Sequence, residues 1–88
     1  MTLADIIRRE AQALLRSAAT MGHNPQMAEA NDVNRRVGVI LDHLAGVVEV
    51  HGYAGLHGYL AARSYGTPVG MEKRVFEDTV SRILKGGH

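Results

Sequence analysis

Imidazoles, phenols and carboxylates are the side chains of this sequence that could do chemistry near neutral pH, and five histidines lead them. His43, His51 and His57 cluster along the chain, yet no two of them stand three or four residues apart. A helix puts two ligands on one side only at those short spacings, so no pair is ready to share a metal within one turn. Neither a His-Glu-x-x-His arrangement nor an Asp-rich calcium loop is present. Glu49, Tyr53 and His57 do fall at steps of four. They would line up an acid, a phenol and an imidazole, provided the helix runs unbroken through Gly52. Such a row is a proton-active site only with a nucleophile or a phosphate-binding loop beside it, and the sequence offers neither. A hydrogen-bonded polar surface is the plainer reading. The expectation is a protein that is not an enzyme and holds no cofactor and no metal.

Cationic pairs are the next candidates. Arg8-Arg9, Arg35-Arg36 and Lys73-Arg74 could meet phosphates, but acids lie close to each pair in sequence and the net charge is only +1. That balance argues against a mainly electrostatic nucleic-acid binder. The segment from Thr79 to Gly87 resembles, over nine residues, the recognition helix of lac-repressor-type regulators. The resemblance implies a helix-turn-helix and a DNA-binding transcriptional regulator using the C-terminal helix. Upstream the pattern departs from that family: Met71 to Asp78 reads as continuous charged helix, where a short turn should precede the second helix. DNA binding is therefore the alternative reading, and a histidine-based metal or proton site a further one.

The element that must position any site runs from Ala30 to Ala54. Two series of sevens cross it, Ala30, Val37, Leu44, His51 and Val33, Ile40, Val47, Ala54. Their alternation of threes and fours predicts an amphipathic helix with one buried seam, which Leu41 and Val48 widen. Asn31, Arg35, Asp42 and Glu49 are expected on the solvated side. Asn24-Pro25 reads as an N-cap followed by proline at the first helical position, so this helix should start near Pro25 and reach about His51. Before it, Thr2 and Asp5 have the spacing of a capping box, and a first helix ends at Gly22. After it, Gly52 to Tyr65 reads as a third helix, either short or continuous with the second through a bend near Gly52. Its glycines at 52, 55 and 58, like Gly38 and Gly46, are expected to let another backbone come close. Thr67-Pro68 would cap a last helix with Val69, Phe76, Val80, Ile83 and Leu84 on its apolar side.

These elements predict an all-α fold, a three- to four-helix bundle organised around one long central helix in a single helical domain, 1–88. With no cysteine, neither a disulfide framework nor a thiolate metal site can brace it. Helix packing must supply the stability, within this chain or shared with another. A helix from Pro25 to His51 is about 40 Å long, so shorter neighbours leave part of its seam uncovered. Uncovered apolar area on a small protein marks a partner surface. The expectation is a small non-enzymatic protein-protein interaction protein, a regulator, inhibitor, adaptor or assembly subunit. It should self-associate as a homodimer or larger homo-oligomer through Val33, Val37, Ile40, Leu44, Val47 and His51. A heterologous protein partner is the other way to cover the seam. No apolar run reaches the length of a membrane span and no secretory core opens the chain, so the expected location is cytoplasmic, with no membrane and no nucleic acid as partner.

Overall fold

The computed structural model describes residues 1–20, 24–66 and 70–86, and for 64–66 the backbone alone. Among these, all regular structure is helical: α1, Leu3–Thr20; a short 3₁₀ turn, Pro25–Met27; α2, Ala28–Gly66; and α3, Met71–Leu84. This is the expected helical bundle around a long central helix.

Local chemistry sets the starts of the first two elements. Thr2 and Asp5 close a reciprocal capping box: the Thr2 amide donates to the Asp5 carboxylate, and the Asp5 amide donates to the Thr2 hydroxyl, each at 3.2 Å. Two amides that no helical carbonyl can reach are thereby satisfied. Asn24 caps the second element, its side-chain oxygen accepting from the Gln26 amide at 3.0 Å, with Pro25 at the first position. That first turn is 3₁₀ before the chain relaxes into α-helix at Ala28. Gly22 and the Thr67-Pro68 cap lie outside the described residues, and α3 is described from Met71, with Gly70 before it making no side-chain cap. At the far end Gly86 takes a left-handed conformation (φ +78°), which a residue without Cβ adopts at little cost.

The decisive backbone event is at Gly52. Its φ of +66° and ψ of −151° interrupt α2, in a region essentially restricted to glycine. A straight helix would hold residues 43 and 59 about 24 Å apart, yet the His43 and Tyr59 rings have centroids 5.6 Å apart. The helix therefore doubles back, and residues 28–51 and 53–66 form two arms of a helical hairpin. Straight, 39 residues would span about 58 Å; the whole chain is only 40 Å in its longest dimension. Gly55 lets the arms close: a Cβ there would stand 2.6 Å from His51 Cβ and 3.2 Å from the Val47 carbonyl oxygen.

One core joins all the helices. Ala4, Ile7 and Ala11 of α1 meet Val37, Leu41, Leu44, Ala45 and Val48 of the first arm, with Leu56 from the second arm and Phe76, Val80 and Ile83 from α3. α1 packs most extensively on α2 and runs antiparallel to its first arm, as Arg8 with Glu49 and Leu15 with Gly38 show. Gly38 is where the two backbones come close. The expectation of close packing fails at Gly46, Gly52 and Gly58, where an added Cβ would meet nothing within 4 Å. Asn31, expected in solvent, is buried in a crevice that Leu15 and Ala18 also line. The last turns of α1 cover it, a neighbour that periodicity within α2 cannot reveal.

Candidate interaction surface

The long seam is divided between the chain's own core and its surface. Val37 and Leu44, expected at a contact between copies, are completely buried within the single chain. Val33 and Ile40 are half-buried and pack against the same core, and Val47 is also half-buried. His51, expected in the apolar seam, is exposed. The hairpin explains the division. α1, the second arm and α3 cover the central stretch, while at the bend Gly55 approaches only the Cβ of His51 and the residue as a whole stays exposed.

The bend also dissolves the acid–phenol–imidazole row. Gly52 stands between Glu49 and Tyr53, so the helical register that would align them is broken there. Glu49 instead accepts a 2.8 Å hydrogen bond from Arg8 of α1, and that bond is the main cause raising the Arg8 pKa above its ordinary value. Tyr53 and His57 keep a loose ring contact, with centroids 6.4 Å apart. Among the described residues no group of three or more His, Asp or Glu side chains could hold a metal ion; His23 and His88 lie outside them.

The cationic pairs face acids of the same chain. Arg35 and Arg36 both reach Asp32, at 2.6 and 3.0 Å, and Lys73 lies 3.9 Å from Glu77. In the segment that resembles a recognition helix, Arg82 bonds to Glu10 of α1. Thr79 is buried and donates to the Val75 carbonyl, and Ile83 is in the core. Such exposed ion pairs add little stability.

Two apolar surfaces stand out among the described residues. The first is a groove of about 430 Å³ between the second arm and α3. Ile40, Leu60, Ala61, Phe76, Val80 and Leu84 line it, and Leu84, expected on the buried side, is 45% exposed at this groove. Arg63 and Glu72 are 3.9 Å apart at its edge, and the Arg63 guanidinium lies 5.8 Å from the Phe76 ring centroid and 5.9 Å from that of Tyr59. Sequence periodicity could not locate this groove, because its walls belong to three helical segments that the bend brings together.

The second surface is the outer side of the first arm. Val39, His43, Gly46 and Val50 follow one another at steps of four, three and four, opposite the buried row of Val37, Leu41, Leu44 and Val48. Val39 is 58% and Val50 75% exposed. Gly46 leaves a shallow depression between them, lined also by Asp42, His43, Val47 and His51. His43 is held at one margin by its contact with Tyr59. The signal for this strip was available in the sequence as a second, weaker seven-residue series on the polar side of the helix. Among the described residues, no helix is long and apolar enough to cross a membrane. Comparison with protein-family models, with curated proteins and with solved structures finds no match to this chain.

Proposed function

We propose that this chain is a small non-enzymatic interaction protein that works by helix-to-helix contact and associates with itself. The observation that carries the reading is the pair of exposed valines, Val39 and Val50, aligned on one face of the central helix with Gly46 between them. Single exposed apolar residues need no explanation on a protein surface. An aligned set on the helix that already anchors the core is a surface prepared for another helix. The groove between the second arm and α3 offers a separate place for the apolar side of a heterologous helix, in the manner of helix-in-groove recognition.

Sedimentation equilibrium across a wide concentration range, accompanied by circular dichroism, tests the reading. A rise in mass with concentration at constant helicity supports it. A fully helical, cooperatively folding monomer at every concentration would remove self-association. The competing reading is DNA binding through α3, and the pairing of Arg82 with Glu10 weighs against it. Duplex affinity that falls steeply with salt would reinstate it.

A further inference from the structure

We propose that α2 is one helix held bent at a single residue, and that two copies of the chain exchange their second arms and α3 by straightening it at Gly52. The inference rests on the self-association reading and replaces contact between exposed faces by exchange of core elements. Gly52 is the single non-helical residue among the 39 of α2, so one residue separates a hairpin from a continuous helix. The inward residues of the two arms also keep one helical phase. Val37, Leu41, Leu44 and Val48 of the first arm, and Leu56 and Tyr59 of the second, all pack into the core. A straight helix with 3.6 residues per turn would hold these six within about 120° of one another. A bend places no such demand on its two arms, whereas an unbroken helix with one buried face does.

Exchange preserves contacts that the single chain already makes. The arms meet in register about position 51, where the rings of His43 and Tyr59, eight residues to either side, have centroids 5.6 Å apart. Two straight helices lying antiparallel about a two-fold axis at that position set each Tyr59 beside the partner's His43, and so form the contact twice. The second arm and α3 travel as a unit, joined by the Arg63 guanidinium, which lies 5.8 Å from the Phe76 ring centroid and 3.9 Å from Glu72. Leu56, Phe76, Val80 and Ile83 then enter the core that α1 and the first arm form in the other copy. The surface between copies is thus a core and not a patch of exposed residues. Only the stretch at the axis makes new contacts. There Glu49 stands level with the partner's Tyr53, so no two carboxylates are opposed. Mass action opposes exchange, since closure within one chain has an effective concentration in roughly the millimolar range. A short hinge under strain is the connection that favours swapping against that cost.

Gly52→Ala shifts the balance without disturbing a contact, since an added Cβ there meets nothing within 4 Å. Alanine is strained at a φ of +66° and relaxed in a continuous helix, and each exchanged dimer relieves two such residues. Association should therefore tighten by at least about 30-fold over wild type. At concentrations too low for exchange, the same strain only lowers the melting temperature. The conformation is read from the distance within one chain between nitroxides on D42C/A62C, both exposed positions in a chain without native cysteine. Labelled chains are refolded from urea at about 1 mM total protein with an excess of unlabelled chains, so that each dimer carries one labelled copy. Dipolar spectroscopy should give under about 20 Å for the closed hairpin, whose arms pack about 8–10 Å apart, and about 30 Å for the straight helix. A Gly52→Ala dimer with the long distance supports exchange. A dimer with only the short distance, or a folded variant that associates no more tightly than wild type, overturns it and leaves self-association through another surface. If alanine prevents folding, the wild type decides alone: a dimer at about 1 mM without the long distance overturns exchange. A wild type that stays monomeric there overturns both exchange and self-association, whatever the variant does.

Discussion

Leu15 of α1 lies directly over Gly38 of α2. A Cβ built at Gly38 would stand 2.8 Å from Leu15 Cγ and 3.1 Å from the Ala11 carbonyl oxygen. The antiparallel pairing of these two helices depends on the missing methyl group. Alanine at this position improves helix propensity by about 1 kcal/mol, while overpacking costs about 1–3 kcal/mol. The Ala11 oxygen is backbone and cannot swing aside, so the steric cost should win. Gly38→Ala is expected to lower the urea midpoint, and Gly38→Val to lower it further. An unchanged midpoint for both would mean that α1 can slide away without loss.

Gly52 and Gly58 should respond in opposite directions. Gly52 occupies a conformation (φ +66°, ψ −151°) that strains any other residue, at a cost of about 1–3 kcal/mol. Gly52→Ala should therefore lower the melting temperature. Gly58 is helical, exposed and open at its Cβ position, so Gly58→Ala should raise stability by up to about 1 kcal/mol. The expectation that Gly58 serves close packing is thereby corrected: Gly55, not Gly58, faces the other arm. Thermal unfolding followed by circular dichroism reads both signs.

Leu44 and Val50 separate core from surface on one helix. Leu44 is completely buried and Val50 is 75% exposed. Leu44→Ala removes buried methyl groups and leaves a cavity, a loss of about 2–5 kcal/mol. Val50→Ser should stay within about 0.5 kcal/mol of wild type at concentrations too low for association. Chemical denaturation of both variants at the same low concentration measures the contrast. Equal losses would mean that the seam is not buried within a single chain.

Acid should loosen the start of α1. The backbone amide and hydroxyl of Thr2 hold the Asp5 carboxyl below its ordinary pKa, the amide most strongly. A carboxyl depressed on folding stabilises the fold above its unfolded value of about 3.9 and loses that contribution as pH falls through the folded value. Asp5→Asn should remove this part of the acid sensitivity. Denaturant midpoints taken from neutral pH downward would show a shallower decline for the variant, and identical slopes would mean that the capping box is not linked to folding.

What the sequence by itself determined is local. Thr2 with Asp5, and Asn24 with Pro25, announce helix starts because a cap is completed within a few residues and needs no distant neighbour. The seven-residue series from Ala30 to Ala54 announces the central helix for the same reason, since an amphipathic face is a property of one helix. Gly52 was legible as a possible bend, but its positive φ and the sharp return of the chain follow from packing the second arm on the first. Tertiary structure alone decided what covers what. Val37 and Leu44 went to the chain's own core, and Asn31 was buried beside Ala18 and Leu15, by neighbours that a periodicity does not contain. The ion pair of Glu10 with Arg82 and the groove at Phe76 likewise join residues far apart in sequence. Burial is a relation between segments, and helical period describes only one of them.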